Sequence, residues 1–269
     1  MTDVAENPLK VAERARVIPP PNAMVIFGGS GDLAHRKIIP ALYNLELNRL
    51  LPQHFAVVGV SRSSYSDDEY RADMRKAVEE FSRTRPIQPQ VWESFASRLY
   101  YITGSTDDPA TYGKVGDLLE RMEREHGTDG NRLFYMSLIP KLFPGAIQGI
   151  GKSGIGGRGY DRGWSRVVIE KPFGHDLASA RELQALVTEV FPERDVFRID
   201  HYLGKESVQN IIALRLPTAS SSRSGATTTS TTCRSPWPSR SASSTAATST
   251  RPPARSATSS RTTRSSSSR

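Results

Sequence analysis

The sequence predicts an α/β fold, a Rossmann-like doubly wound parallel sheet over residues 23–206. Three observations predict it. Short apolar runs alternate with helix-length amphipathic segments, the pattern of strands joined by helical crossovers. The first apolar run opens directly into a glycine turn followed by a helix. The last two runs end in clusters of ionisable side chains, as strands do where they open on a ligand crevice.

Residues 1–22 are polar and close in a proline run, so they read as a flexible arm. Met24 to Phe27 is the first strand, and Gly28-Gly29-Ser30-Gly31-Asp32-Leu33-Ala34 follows it. Gly28 permits the tight turn, Gly31 lets backbone approach a pyrophosphate, and the small Ala34 packs helix on strand. The helix carries Ile38, Ile39, Leu42, Leu45 and Leu50. The spacing is GxxGxxA rather than GxGxxG, so a glycine loop without a nucleotide stands beside this reading.

The second strand, Phe55 to Val60, ends in Ser61-Arg62-Ser63-Ser64. A carboxylate there would suit the ribose hydroxyls of NAD. An arginine among hydroxyls suits a 2′-phosphate, so the expected cofactor is NADP. A helix from about Asp67 to Phe81 comes next, then a proline-broken stretch around Pro86 and Pro89, and a third strand at Leu99 to Ile102. Thr103, Gly104 and Ser105 close that strand on the cofactor side. A helix from about Ala110 to Glu125 and a fourth strand at Leu133 to Ser137 follow.

The glycine-rich 145–163 segment contains Gly151-Lys152-Ser153, which invites a phosphate-loop reading. The glycine that motif needs five residues before Gly151 is Ala146, and no strand leads in. The segment is therefore expected to be a helix end and a surface loop.

Arg166 to Ile169 is the fifth strand, closed by Glu170-Lys171-Pro172-Phe173-Gly174. Pro172 keeps Lys171 out of helical geometry and could, through a cis bond, aim it into the crevice. Asp176 to Phe191 is an amphipathic helix, and FRIDHYLGKE is the sixth strand with its turn. His201, Tyr202 and Lys205 all donate hydrogen bonds and can converge on a phosphate, with Asp200 left to orient a histidine. A solvated loop is the plainer alternative. Ser207 to Leu214 starts a helix, so 207–215 is expected to lead to a second domain.

From Leu216 onward the composition is Ser, Thr, Arg, Ala and Pro, without Ile, Val, Phe or Tyr. Such a segment cannot bury enough apolar surface to order itself, so 216–269 is expected to be a disordered low-complexity tail. It is also what a GC-rich frame yields out of register, and a frameshift is the preferred reading. A genuine Ser/Arg tail that binds RNA is the alternative.

The net charge of +8 would ordinarily suggest a nucleic-acid partner. Eight arginines in 216–269, with no lysine or acid, carry all of it. The 36 bases less these eight leave 28 against 28 acids, so the body is neutral and no nucleic acid is expected. At 269 residues and 37% apolar, the chain suffices for one large domain or one and a half. No run approaches a membrane span and the start has no secretory pattern, so no membrane partner and a cytoplasmic location are expected. A single cysteine, Cys233, excludes a disulfide framework and gives no metal-ligand spacing; no metal is expected.

With IFGGSGDLAHRK, GVSR, GWSRVVIEKPFGHDL and FRIDHYLGKESVQNI in place, the chain resembles the glucose-6-phosphate dehydrogenase family from about Ala23 to Arg215. The last two stretches are highly specific. The resemblance implies NADP-dependent oxidation of glucose 6-phosphate at C1 to the lactone, the opening step of the pentose phosphate pathway. It implies that Gly28, Ser30, Gly31, Asp32, Leu33 and Arg62 hold NADP, with Lys37 near the junction of cofactor and sugar. Lys171 would touch sugar and cofactor, His201, Tyr202 and Lys205 would grip the 6-phosphate, and Asp200 would pair with the catalytic histidine.

That histidine belongs to the family's second domain, an antiparallel sheet that completes the sugar site and makes the dimer. Nothing in 216–269 resembles it, and the five histidines here are His35, His54, His126, His175 and His201. The chain is therefore expected to be a truncated, inactive form without the dimer interface, with an exposed apolar sheet face. Where the family shows a Pro-Pro pair after the fourth strand, this chain has Leu138-Ile139-Pro140.

Overall fold

The computed structural model describes residues 18–200. They fall in the first of two units into which the chain divides, Met1–Arg215. The arm up to residue 17, the turn and helix start from His201, and the 216–269 segment lie outside the described residues.

Six parallel strands form one sheet in the order β3-β2-β1-β4-β5-β6. They are β1 (Asn22–Phe27), β2 (Phe55–Ser61), β3 (Leu99–Thr103), β4 (Arg132–Met136), β5 (Ser165–Glu170) and β6 (Val196–Ile199). The chain winds outward from β1 to β3, crosses back, and winds outward again from β4 to β6. All strand C-termini therefore lie along one edge, with the reversal of direction between β1 and β4. The expected doubly wound sheet is what forms.

Strand parity divides the core into two layers. Val25 and Phe27 face α4 (Pro109–His126), α5 (Phe143–Ser153) and α6 (Leu177–Val190), packing on Val115, Leu119, Ile147 and Val187. Met24 and Ile26 face α1 (Ile39–Leu47), α2 (Asp67–Phe81) and α3 (Pro89–Ala96), packing on Ile39, Tyr43, Met74 and Phe95. β1 and β2 are buried almost throughout, as strands covered on both faces must be.

Helix boundaries follow local chemistry. Ser66 caps α2 reciprocally with Glu69, and Asp176 does the same for α6 with Ser179. Asp108 caps α4, and Gly127, left-handed at φ 67°, ends it.

Two expectations are corrected. The proline-broken stretch contains α3: Pro89 sits in its first turn, where a proline costs no hydrogen bond, and Trp92, Phe95 and Ala96 are buried. The 145–163 segment is a helix end and a loop, as expected: α5 runs to Ser153, and no helix or strand follows before β5. Gly149 and Gly151 lie inside α5 where a Cβ would strike Tyr112 and Val190, so these glycines serve helix packing. Gly151-Lys152-Ser153 is the last turn of α5, as rejection of the phosphate-loop reading requires. The first helix ends at Leu47 rather than Leu50, and a π turn, Ala34–Ile38, precedes it.

On the α1–α3 side, the β4–β5–β6 half of the sheet bears an apolar groove of about 690 Å³, which includes Leu133, Tyr135, Val168, Phe197 and Ile199. Phe197 is 45% exposed there among the described residues.

Candidate functional site

The glycine turn starts from a requirement at Gly28. Its φ is 88°, and a Cβ there would collide with the Ser137 carbonyl at the end of β4. Only glycine meets both conditions. The Gly28 and Gly29 amides donate to the Val60 carbonyl at 2.8 and 3.1 Å, fastening the turn to β2, and Gly31 N–H closes it on Gly28 O at 2.9 Å. A Cβ on Gly31 would meet only the Gly28 carbonyl, at 3.1 Å, with open space beyond. Ala34 is wholly buried against the sheet, as its small size predicts.

From here the chain enters the π turn, a geometry enriched at functional sites. Leu33 packs its side chain into the α1–α3 layer. Asp32 is exposed beside Arg36, 3.6 Å away, and Lys37 is exposed on the π turn. His35 fastens the turn from behind: its Nδ1 lies 2.9 Å from the Gly31 carbonyl and its Nε2 2.7 Å from Asp73 on α2.

The turn opens on a crevice of about 120 Å³ whose lining includes Gly28, Arg62, Gly104, Ser105, Asp107 and Leu138. Arg62, beyond β2, is exposed at its rim, and Ser30 Oγ donates to Ser63 Oγ at 3.3 Å. The glycine turn and the Ser61-Arg62-Ser63-Ser64 arm are thereby brought together, as expected. Gly104 and Ser105 line the crevice, whereas the Thr103 hydroxyl turns to the Ser63 carbonyl. Asp107 was not legible as a site residue. Beside it the Tyr112 phenol is pushed up to about 12 by burial, with the Asp107 charge a smaller cause.

Further along the same edge, parallel pairing sets Glu170 opposite Ile199. The next residue on each strand is then Lys171 and Asp200, and their side chains form an ion pair. Lys171 is 65% exposed, with its ammonium at the mouth of the sheet edge, and the Lys171–Pro172 peptide is cis. Behind it the phenol of Tyr135 donates to the carboxylate of Glu170. Glu170 is buried, and burial, reinforced by that carboxylate, pushes the Tyr135 phenol far above its ordinary value. The sequence reading missed this pair. The available signal was position: Glu170 directly follows the apolar Val167-Val168-Ile169 in one strand, and a carboxylate carried into a buried strand end needs a partner. His201, Tyr202 and Lys205 lie outside the described residues.

Residues 25–210 match the family model described as glucose-6-phosphate dehydrogenase, NAD binding domain. The chain belongs to the glucose-6-phosphate dehydrogenase family. It is 48% identical over 211 residues to glucose-6-phosphate 1-dehydrogenase 2 of Mycobacterium bovis, covering 78% of this chain and 41% of that protein. Against glucose-6-phosphate 1-dehydrogenase of Chlamydia muridarum the identity is 41% over 210 residues, 77% of this chain and 41% of the relative. A solved glucose-6-phosphate dehydrogenase in complex with its substrate glucose 6-phosphate superposes with a TM-score of 0.66 at 34% identity, covering 74% of this chain and 40% of that one. The chain thus spans about two fifths of the length of the relatives it matches.

The matched region is the nicotinamide-dinucleotide-binding domain of that family. The residues present fit such a cofactor. Gly31 leaves open space where a Cβ would stand, and the arm after β2 offers a guanidinium and hydroxyls. No helix among the described residues is long and apolar enough to cross a membrane.

Proposed function

We propose that residues 23–206 are the NADP-holding and sugar-phosphate-gripping half of a glucose-6-phosphate dehydrogenase site, acting in the cytoplasm, and that the 269-residue chain binds the dinucleotide without turnover. The observation that carries the nucleotide assignment is the arm after β2. Arg62 stands at the crevice rim and Ser63 is hydrogen-bonded to Ser30 of the glycine turn. A guanidinium matches a phosphate dianion bidentately and has no comparable partner on a free ribose.

In this reading Gly28, Ser30, Gly31, Asp32 and Leu33 surround the pyrophosphate with backbone, and Arg62 receives the 2′-phosphate. Lys37 and Lys171 stand where cofactor and sugar meet, and His201, Tyr202 and Lys205 grip the 6-phosphate. NADP, when bound, supplies the hydride acceptor for C1 of the sugar. Asp200 holds the Lys171 ammonium in the present geometry and orients a histidine base when one is supplied. The O1 proton needs such a base. Every histidine of the chain precedes residue 202, and residues 216–269 offer none.

Fluorescence titration with NADP and NAD, together with an assay of glucose 6-phosphate-dependent NADP reduction, tests both parts. The expected result is NADP binding at least about tenfold tighter than NAD. Turnover should fall at least about 10² to 10⁴ below that of a full-length relative. Equal affinities would overturn the role of Arg62, and relative-like turnover would overturn the inactivity.

A further inference from the structure

Gly59 lies inside β2, where a glycine weakens a strand unless something needs the space. Two tyrosines need it. A Cβ on Gly59 would meet the Tyr70 hydroxyl at 2.7 Å and the Tyr101 ring at 3.2 Å. Tyr70 comes from α2 and Tyr101 from β3, and their ring centroids pack 4.7 Å apart over the hollow. From there the two phenols reach two different segments, the glycine turn and the arm after β2. Tyr70 is wholly buried and donates to the Gly29 carbonyl at 3.1 Å, behind the glycine turn. Tyr101 donates to the Ser63 carbonyl at 2.7 Å, behind the arm.

At its root the arm is tied to the end of β3, where the Ser61 carbonyl accepts from the Gly104 amide at 2.8 Å. Ser63 O also accepts from Thr103 Oγ1 at 3.3 Å, and Ser63 Oγ meets Ser30 at 3.3 Å. Tyr65 stacks edge-on against Tyr101 at 5.4 Å and closes the cluster. Burial pushes both Tyr70 and Tyr101 phenols up, so each stays a neutral donor. Turning the Ser63 carbonyl away would cost the half-buried Tyr101 phenol this acceptor, so the Ser63–Ser64 peptide is fixed from beneath.

We propose that Tyr101, seated with Tyr70 in the hollow at Gly59, is a positioning residue for dinucleotide specificity. By holding the Ser63 carbonyl it fixes the arm at the reach of a 2′-phosphate, while Tyr70 fixes the glycine turn for the pyrophosphate common to both dinucleotides. This rests on the NADP reading above and assigns the order of the arm, rather than the charge of Arg62 alone, to the preference.

The test measures NADP and NAD affinities by calorimetry for the full chain and for Tyr101→Phe, Thr103→Val and Arg62→Ala, with melting temperatures alongside. Tyr101→Phe keeps the ring and removes one hydrogen bond, so NADP should bind about three- to tenfold more weakly with NAD affinity unchanged. Thr103→Val, on the exposed side of the same carbonyl, should show a smaller loss of the same kind and guards against misfolding of the first variant. Equal weakening toward both dinucleotides, or no change in either variant, would overturn the proposal. If the unmodified chain shows no NADP preference and Arg62→Ala changes nothing, the NADP reading fails first and the proposal with it. An Arg62 effect without a Tyr101 effect sinks the proposal alone.

Discussion

Gly28 and Gly31 stand three residues apart in one turn, yet alanine should damage them in different ways. At Gly28 the backbone has φ 88°, where an L side chain costs about 1–2 kcal/mol. The new methyl would also overlap the Ser137 carbonyl, which belongs to backbone anchored by the Ser137 amide on Phe27 O at 2.9 Å and cannot swing aside. Overpacking of that kind costs about 1–3 kcal/mol more. Gly28→Ala should therefore lose about 2–5 kcal/mol of stability and on the order of 10 °C in melting temperature. At Gly31 there is no positive φ, and the added methyl meets a single atom at 3.1 Å, from which a shift of a few tenths of an ångström frees it. Gly31→Ala should keep the melting temperature within about 2 °C and lose NADP affinity by about tenfold or more, because the methyl enters space reserved for the pyrophosphate. Thermal unfolding by circular dichroism and NADP titration of both variants provide the comparison. A stable Gly28→Ala, or a Gly31→Ala that binds NADP undiminished, would refute the division between a glycine kept for the backbone and one kept for the ligand.

Lys171→Ala should shift the melting temperature by no more than about 2 °C, since the Lys171 side chain is 65% exposed, while glucose 6-phosphate binding measured by calorimetry should disappear. Tyr135→Phe removes a donor from the buried Glu170 carboxylate and should cost about 1–3 kcal/mol in denaturant unfolding; a cost within about 0.3 kcal/mol of zero would mean the pair is not structural. Acid should weaken the helix starts at α2 and α6. The Ser66 and Ser179 hydrogen bonds hold the Glu69 and Asp176 carboxyls below their ordinary values of 4.5 and 3.8, so their contribution is full above those values and is lost as pH falls through the depressed ones. Glu69→Gln, which removes the titrating group and keeps a capping side chain, should flatten that part of the acid-unfolding curve, and an unchanged curve would contradict the assignment.

Much of this architecture was legible because periodicity and punctuation agreed. Asp67 to Phe81 was readable end to end, since Ser66 and Glu69 form a capping box ahead of a strongly amphipathic run. Lys171 and Asp200 were each legible as strand-end residues, but their ion pair was not, because it depends on the pairing of β5 with β6. What escaped the sequence were places where tertiary contacts reassign a residue's ordinary meaning. Pro86 and Pro89 read as a break, yet Pro89 begins α3. Gly149 and Gly151 gave no sign of their purpose in a glycine-rich segment read as a helix end and a loop, yet they make room on α5 for Tyr112 and Val190. Glu170 and Tyr135 escaped because their partnership spans two strands, and the Tyr70–Tyr101 bridge because its purpose lies in two carbonyls that sequence cannot display.

The central claim is that the glycine turn holds a pyrophosphate and the arm after β2 receives a 2′-phosphate. A crystal structure of the chain with NADP measures this directly. The account predicts the pyrophosphate over Gly28 to Leu33 and the 2′-phosphate within hydrogen-bonding distance of Arg62 and of Ser30, Ser63 or Ser64. A 2′-phosphate pointing to solvent, or a nucleotide bound away from this crevice, would contradict it.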